Sequence, residues 1–394
     1  RGRHMKPVRF GIIGLGNMGS AHARDCAGSD TLELAALCDI DEAKLDEIGS
    51  NYDAPRFTDA EKMMDEADLD AVLVATPHYD HTPLSIAALG RGIHVLCEKP
   101  VGVHVKDVQK MIDAYEEARK THPGLKFGAM FQMRTQNVWQ KIKQLIDDGT
   151  LGRLVRATWI ITSWFRTQYY YDTGSWRATW SGEGGGVLLN QCPHNLDLYQ
   201  WFFGLPSRIQ GMAAIGKYHH IEVEDEVTAV FQHENGMTGH FITTTAESPG
   251  TNRLEIVGEN GRLVYSDGEL TFDRNEQSML EFLNTATEGF AKVKNTPETI
   301  DVPADEGRPH IKVTEAFARA VRENTPLVAN APEGLGSVTL ANGILMSHFT
   351  GANVELPLDG DAYEKLLQDL IANSTFKKNE PVTPGNVDMK KSFE

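Results

Sequence analysis

The sequence Gly14-Leu-Gly16-Asn17-Met18-Gly19 decides the fold of the amino-terminal part of the chain. It follows an apolar run and opens a helical pattern, which is the context in which G-x-G-x-x-G binds a dinucleotide. The first glycine makes a tight turn, the second lets the backbone approach a pyrophosphate, and the third lets the helix pack on the strand. The N–H groups that begin the helix then attract the phosphates.

Asp39 provides a second signal for the same type of site. It ends the next apolar run, 32–38, about 20 residues after the last glycine, as the dinucleotide fingerprint requires. A carboxylate there can accept hydrogen bonds from both ribose hydroxyls of NAD and would repel the 2′-phosphate of NADP. No arginine or serine follows it, since the next residue is Ile40. The sequence therefore favours NAD over NADP. The alternative is that Asp39 only caps a helix beginning near Asp41.

Short apolar strands alternate with helical patterns through the first third of the chain. Strands are predicted at 8–14, 32–38, 71–75, 94–97 and 126–131, and helices at 18–27, 41–48 and 82–90. This alternation predicts an α/β Rossmann domain, with a parallel sheet covered on both faces, over residues 6–133. Residues 1–5 read as a tag remnant.

The pattern changes near residue 149 to longer strands separated by Asn-Gly and Asp-Gly turns. Strands are predicted at 154–165, 227–232, 239–245, 253–257, 262–265 and 270–272, and helices at 186–203, 311–322 and 335–350. This order predicts an α+β domain with a mainly antiparallel sheet over 134–375. A polar tail or arm is expected over 376–394.

The bulk composition excludes several classes of partner. A net charge of −17 argues against nucleic acid and anionic membranes, although a substrate pocket can have its own local field. No apolar run approaches the roughly 20 residues that span a bilayer. The cysteines form no C-x-x-C pair, so a reducing cytoplasm is expected. They are Cys26, Cys38, Cys97 and Cys192.

Two further motifs make the prediction more specific. Cys97-Glu98-Lys99-Pro100 follows a predicted strand downstream of Ala75-Thr76-Pro77, and the glycine triplet 184–186 precedes Val-Leu-Leu-Asn190-Gln-Cys-Pro-His194-Asn-Leu-Asp197. Together with the glycine loop, this pattern resembles the Gfo/Idh/MocA family of glucose–fructose oxidoreductase and inositol dehydrogenase-like enzymes. The resemblance extends over nearly the whole native chain.

The resemblance implies roles for individual residues. Lys99 and His194 match the catalytic lysine and histidine, whereas the dinucleotide would be lined by Gly14, Gly16, Gly19, Thr76, Pro77, His81, Glu98 and Lys99. The substrates of the family are sugars, sugar nucleotides or cyclitols. The open sheet of its second domain often forms a homodimer or homotetramer interface.

Asn190 departs from the inositol dehydrogenase type, which carries aspartate there, although a subset of the family has Asn-Gln. An amide cannot relay a proton, so His194 remains the expected acid/base and Asn190 becomes a positioning group. The predicted helix 186–203 puts Asn190 and His194 on one face. Asn190 and Asp197 are both expected to contact the substrate.

The segment 164–180 is rich in aromatic residues and contains Arg166 and Arg177. Because aromatic rings stack on sugar C–H groups, it is predicted to be a carbohydrate-binding loop, with Tyr171 and Arg177 as substrate contacts. An aromatic domain interface is the alternative. Gln132 and Arg134 are weaker candidates for reaching the pocket.

The histidines and carboxylates between 219 and 225 resemble a group of metal ligands. Alternate residues of a strand face opposite sides, and no metal-binding spacing is present, so a solvated edge and no metal are expected.

The sequence thus predicts an NAD-dependent dehydrogenase acting on a secondary hydroxyl of a sugar, glycoside or cyclitol. One alternative is an epimerase or eliminating glycosidase that oxidises its substrate transiently and retains NAD. Another is a non-catalytic sensor that binds the dinucleotide and a protein partner.

Overall fold

The computed structural model describes residues 5–383 and 389–392 and contains two sheets. The first is parallel and has the strand order β3-β2-β1-β4-β5-β6. Its strands are β1 (Val8–Ile13), β2 (Leu32–Cys38), β3 (Arg56–Phe57), β4 (Ala71–Val74), β5 (His94–Cys97) and β6 (Phe127–Ala129). This is the predicted Rossmann architecture, which is confirmed. In this order the chain adds strands first on one side of β1 and then on the other, so the connections that follow β1 and β4 diverge and leave a crevice for a ligand at the carboxyl ends of these strands.

Helices cover both faces of this sheet, which explains why its strands are apolar on both sides. They are α1 (Asn17–Ala27), α2 (Glu42–Gly49), α3 (Ala60–Glu66), α4 (His81–Gly90) and α5 (Val105–Arg119). A later helix, Pro309–Glu323, also packs here, with Phe317 against Phe10 at 6.0 Å between ring centroids. The Rossmann core is therefore completed by residues more than 300 positions along the chain.

The second sheet has nine strands and is antiparallel except where two of them run parallel, confirming the predicted mainly antiparallel sheet. Its strands are β7 (Leu154–Ile161), β8 (Arg208–Ile215), β9 (Glu224–Gln232), β10 (Thr238–Thr244), β11 (Asn252–Gly258), β12 (Gly261–Ser266), β13 (Glu269–Asn275), β14 (Asn295–Ile300) and β15 (Val354–Glu355). The order is β14-β13-β12-β11-β7-β10-β9-β8-β15, and β7 and β10 are the parallel pair. The strands β8, β14 and β15 were not predicted from sequence.

The remaining helices pack mainly on one face of this sheet. Those with residues in its core are α6 (Asn137–Asp147), α7 (Gln168–Asp172), α8 (Pro193–Phe203), α11 (Gly334–Thr350) and α12 (Gly360–Ala372). The helix α9 (Met279–Thr285) has no buried residue, and α10 (Pro309–Glu323) is the helix that packs on the first sheet. Trp159, Phe231 and Phe241 are buried beneath the helices of the core, whereas Met212 on β8 is 70% exposed on the other face. In the described part of the chain, no helix combines the length and apolarity needed to cross a bilayer.

The predicted helix 186–203 is wrong in its first half. Residues 186–192 form turns, and α8 begins only at Pro193, which suits the first helical position because proline lacks an N–H. Glu224, which is fully buried on β9, holds these turns by accepting hydrogen bonds from the N–H groups of Gly186 (2.8 Å) and Leu188 (3.1 Å). Asn190 therefore lies in a turn ahead of the helix and not on its face.

Residues 374–383 form an arm that lies along the aromatic segment 164–180. Val382 N donates to the carbonyl of Asp172 at 3.0 Å, and Asn379 Nδ2 contacts both carboxylate oxygens of Asp172 at 3.2 Å. The Tyr169 hydroxyl donates to the carbonyl of Thr383 at 3.1 Å. The expected arm is therefore ordered through residue 383.

Candidate active site

The three glycines of the amino-terminal loop have three different surroundings. Gly14 has φ +91°, and a Cβ there would lie 2.6 Å from the carbonyl oxygen of Ala75. A Cβ on Gly19 would lie 1.7 Å from the carbonyl oxygen of Gly14, whereas a Cβ on Gly16 would meet nothing within 4 Å. The open space over Gly16 faces the first turn of α1, which carries no acidic residue. These residues fit a bound pyrophosphate.

Asp39 connects this loop to the end of β2. Its carboxylate accepts hydrogen bonds from the N–H of Leu15 at 2.8 Å and from the N–H of Asp41 at 2.9 Å. The N-cap of α2 is Asp41, which accepts from Ala43 and Lys44. Asp39 is therefore not the helix cap, and its position beside the glycine loop is the one that the dinucleotide fingerprint requires.

Glu98 lies under the loop that carries Lys99. One carboxylate oxygen is 2.7 Å from Nε2 of the buried His22, and the other accepts from the N–H of Lys99 at 3.2 Å. Burial raises the pKa of Glu98, but the hydrogen bond and charge of His22, with the charges of His310 and Lys99, lower it to about 2. Glu98 is thus an ionised anchor for the Lys99 backbone.

His81 joins the loops that follow β4 and β5. It is fully buried, and its ring nitrogens lie 2.7 Å from the carbonyl oxygen of Pro100 and 2.9 Å from that of Thr76. Burial lowers the pKa of His81, although both carbonyls favour the protonated ring. Because both nitrogens are occupied, His81 shapes the loops and offers no nitrogen to a dinucleotide. Thr76 lies beside Gly14, and the next residue, Pro77, is exposed.

Lys99 reaches from the end of β5 toward the second sheet. Its ammonium donates to the carbonyl oxygen of Asn190 at 2.6 Å and forms no ion pair within the described residues. Burial lowers the pKa of Lys99, and the positive charge of Arg166 lowers it further. A partly buried cation that lacks a carboxylate partner is well suited to stabilise a developing oxyanion.

His194 lies in the first turn of α8 and is 2% exposed. Its Nε2 accepts from Nε2 of Gln132 at 3.0 Å, whereas its Nδ1 and the Oε1 of Gln132 are buried and have no partner in the described part of the protein. Burial lowers the pKa of His194 well below its usual value, and the charges of Lys99 and His310 act in the same direction. The ring is therefore neutral at neutral pH.

Asn190 is linked by its amide to Glu183, a residue that was not predicted from sequence. Its Nδ2 donates to Glu183 at 2.9 Å, and its Oδ1 accepts from the Tyr170 hydroxyl at 3.2 Å. Glu183 is 1% exposed, its carboxylate lies 3.6 Å from the Arg177 guanidinium, and burial raises its pKa. The only local signal was an acidic residue immediately before the glycine triplet.

Comparison with known proteins identifies this arrangement. Residues 8–123 match the model of the oxidoreductase family with an NAD-binding Rossmann fold, and residues 139–264 match the Gfo/Idh/MocA C-terminal domain. The two ranges together cover more than half of the chain. The chain belongs to the Gfo/Idh/MocA family.

Several relatives of this family share most of their length with the chain. The myo-inositol 2-dehydrogenase of Thermotoga maritima is 27% identical over 65% of this chain and 74% of its own. The D-glucoside 3-dehydrogenase of Escherichia coli is 24% identical over 89% of this chain and 98% of its own. The crystal structure of the WlbA dehydrogenase of Bordetella pertussis with NADH and UDP-GlcNAcA is 25% identical, with a TM-score of 0.76 over 90% of this chain and 99% of its own.

Two predicted substrate contacts are occupied by other protein groups in this Gfo/Idh/MocA protein. Asp197 is fully buried, and its carboxylate forms two hydrogen bonds with Arg134, at 2.7 and 2.8 Å. The Tyr171 hydroxyl is buried and donates to Thr245 Oγ1 at 2.8 Å. The adjacent Tyr170 contacts Asn190 and accepts from Arg177 at 2.7 Å. Asp197 and Tyr171 are therefore structural, and Tyr170 takes the place that was predicted for Tyr171.

The predicted solvated edge at residues 219–225 is wrong for most of the segment, because Glu224 and Asp225 are buried and His219 and Glu222 are half-buried, and only His220 is exposed. His219 contacts Asp225 at 3.0 Å and the carbonyl oxygen of Arg166 at 2.7 Å. Asp225 also accepts hydrogen bonds from three backbone N–H groups, and Glu222 accepts one from the N–H of Trp180. Within the described residues, no group of three or more metal-ligating side chains is arranged around a common point.

The glycine loop gives a matched pair of substitutions. Gly19→Ala should destabilise the protein because its Cβ collides with the Gly14 carbonyl, whereas Gly16→Ala should keep the melting temperature and weaken NADH binding at least about tenfold. Thermal melting and NADH fluorescence titration measure the two effects. A Gly16→Ala variant with unchanged NADH affinity would contradict the assignment of this loop.

His219 should make stability depend on pH. Although burial lowers its pKa, the hydrogen bonds to Asp225 and the Arg166 carbonyl raise it overall. Its contribution is therefore complete below the unfolded pKa of about 6.5 and is lost as pH rises through the higher folded pKa. We expect His219→Gln to cost about 1–3 kcal/mol of unfolding free energy near pH 6 and less at alkaline pH. Urea unfolding checks this, with the exposed His122→Gln as control. A pH-independent loss would contradict it.

Proposed function

We propose that this protein is an NAD-dependent dehydrogenase that transfers a hydride between the nicotinamide and a secondary hydroxyl of a sugar, glycoside or cyclitol. One observation carries the proposal. The Lys99 ammonium follows β5 and donates to the carbonyl of Asn190, four residues before the neutral His194, and its charge acts on the His194 ring. Among the described residues Lys99 forms no ion pair and His194 Nδ1 has no hydrogen-bond partner.

The cofactor would be held by the loop that fits a pyrophosphate. The phosphates would be surrounded by the backbone N–H groups of Gly14, Gly16, Asn17, Met18 and Gly19. The Asp39 carboxylate would accept hydrogen bonds from the ribose hydroxyls, which favours NAD over NADP. Thr76, Pro77 and the loop of Glu98 and Lys99 would lie along the nicotinamide half. When bound, NAD supplies the hydride acceptor.

The protein supplies the proton chemistry. The neutral His194 has one unprotonated ring nitrogen, Nε2, which accepts a hydrogen bond from Gln132 and can take the proton of the substrate hydroxyl in exchange for that bond. The Lys99 ammonium stabilises the negative charge that develops on the oxygen as the proton leaves. The Asn190 carbonyl orients Lys99 at 2.6 Å, so Asn190 acts as a positioning residue.

Three side chains are left to contact the remaining hydroxyls. Asn190 and Arg177 were predicted for this role, and Tyr170 joins them in place of Tyr171. Buried polar atoms normally have hydrogen-bond partners, and the Oε1 atoms of Gln132 and Gln191 have none in the described protein. Substrate hydroxyls would satisfy them. The names of the relatives, an inositol dehydrogenase and a glucoside dehydrogenase, support a polyhydroxylated substrate.

We also propose a cytoplasmic homodimer or homotetramer. The face of the second sheet that α8 and α11 leave uncovered carries exposed apolar residues such as Met212. In an oligomer this face would be buried, as the family resemblance implies.

Substitution of the two reactive groups tests the mechanism. Lys99→Ala and His194→Ala should each lower kcat about 10²–10⁴-fold on the true substrate, because the proton acceptor or the oxyanion partner is lost, with NADH affinity retained. NADH absorbance across a sugar panel measures this, with the exposed Lys292→Ala as control. Full turnover in either variant would overturn the mechanism. Product formation without net NADH would show transient oxidation instead.

The pH profile of sugar oxidation gives an independent test. Because the pKa of His194 is lowered, the base stays deprotonated to lower pH than an ordinary histidine with a pKa of about 6.5. The acid limb of kcat/KM should therefore fall below about pH 6.5. An acid limb well above that value would show that His194 is not the base.

A further inference from the structure

Arg166 is a half-buried cation without an acidic partner. Its guanidinium carbon lies 5.8 Å from the Trp164 ring centroid and 5.3 Å from that of Tyr170. Its N–H groups donate to the carbonyl of Phe165 at 2.9 Å and to the hydroxyl of Ser392 at 2.8 Å. In the described part of the chain it forms no ion pair, so at least one strong donor group remains available for a ligand.

Arg177 approaches the same tyrosine ring. Its guanidinium carbon is 4.4 Å from the Tyr170 centroid, and it donates to the Tyr170 hydroxyl at 2.7 Å. The same hydroxyl donates to Asn190 Oδ1, and the Asn190 carbonyl accepts from Lys99. Two guanidinium groups thus approach the Tyr170 ring, and the Lys99 ammonium contacts the main chain of Asn190, whose side chain accepts from Tyr170.

The arm brings a fourth cation to this place. Lys378 donates to the carbonyl of Tyr171, and burial lowers its pKa, as does the charge of Arg177, whereas the charges of Asp172 and Glu183 raise it. We call Lys99, Arg166, Arg177 and Lys378 the cation cluster. Its acidic neighbours are Glu98, whose charge raises the pKa of Lys99, Glu183, held by Asn190 and Arg177, and Asp172, held by Gln168 and Asn379, so four cations face three carboxylates.

The cation cluster therefore has more positive than negative charge, in a chain whose net charge is −17. Positive groups that are partly removed from water repel one another, and the effect of Arg166 on the pKa of Lys99 reflects this repulsion. A bound anion would relieve it. Arginine is the side chain whose planar N–H groups match a carboxylate or phosphate in a bidentate manner.

We propose that the substrate is an anionic sugar, whose carboxylate or phosphate is bound by Arg166 and Arg177 beside Tyr170 while its reacting hydroxyl reaches Lys99 and His194. This inference rests on the proposed dehydrogenase function and adds the charge class of the substrate to it. Lys378 adds long-range attraction from the arm.

The test is NADH production from matched sugars that differ only in charge. Glucose is compared with glucuronate and glucose 6-phosphate, and galactose with galacturonate and galactose 6-phosphate. We expect kcat/KM for one anionic member to exceed that of its neutral partner at least about tenfold, equivalent to about 1.4 kcal/mol, and to fall with added salt. Comparison of the uronate with the sugar phosphate decides which anion is recognised.

Substitution of Arg166 locates the effect. Arg166→Gln should lower the anionic-to-neutral ratio of kcat/KM about tenfold, mainly through KM, whereas Arg166→Lys should retain part of it. The exposed Arg119→Gln is the control and should leave the ratio unchanged. Thermal melting and NADH affinity of each variant separate this effect from a loss of folding.

The outcomes distinguish the two proposals. Sugars that are oxidised without preference for the charged member, or a wild-type ratio in Arg166→Gln, would overturn the anionic substrate and leave the dehydrogenase intact. If NADH does not bind and no sugar is oxidised, the dehydrogenase itself fails. If NADH binds but no sugar is oxidised, the rise in melting temperature with each sugar is measured in place of kcat/KM. An equal rise with the neutral and the anionic member of each pair overturns the inference.

Discussion

The hydrogen bond from the Lys99 ammonium to the Asn190 carbonyl joins the end of the first sheet to the turn in front of the second. It spans 91 positions of sequence, and each end has its own support. Glu98 and His22 fix the backbone of Lys99, whereas Glu224 fixes the turn through two N–H groups. Removing either support would leave a buried polar group unpaired, which costs more than the bond contributes when formed.

The Rossmann half was predictable because its determinants are local. The glycine loop, the first two strands and Asp39 lie within the first 40 residues, and both strands were placed within one position of the structure. Lys99 and His194 were found through motifs whose residues are close in sequence. The structure adds that these two residues are separated by the turn of Asn190 and are not both carried by regular elements.

The wrong predictions concern residues whose deciding contacts are distant in sequence. The run Val187-Leu188-Leu189 has a helical pattern, but the carboxylate that makes it a turn is Glu224, 38 positions from Gly186. Asp197 was expected in the pocket, and its Arg134 partner is 63 positions away. Tyr170 and Tyr171 are adjacent, and only the position of Thr245 on the neighbouring strand decides which one is buried. No local pattern contains this information.

The histidines of this region differ in the hydrogen bonds that their ring nitrogens form. His81 and His219 each place both ring nitrogens on protein acceptors, so neither has a nitrogen left for a ligand. His194 is equally buried but keeps Nδ1 unpaired. Burial alone thus does not mark a reactive residue, and the unpaired nitrogen is the feature that distinguishes His194.

The arm 374–383 has a consequence for motion. It crosses the aromatic segment through hydrogen bonds between residues about 200 positions apart, and Asn379 contacts Asp172 with both groups at the surface. Breaking these contacts exposes little apolar surface, so the arm can detach in a local opening of low free energy while both sheets remain folded. In amide hydrogen exchange the arm would then be weakly protected, whereas segment 164–180, which buries Trp164, Tyr171 and Trp180, would be protected together with the strands beneath it.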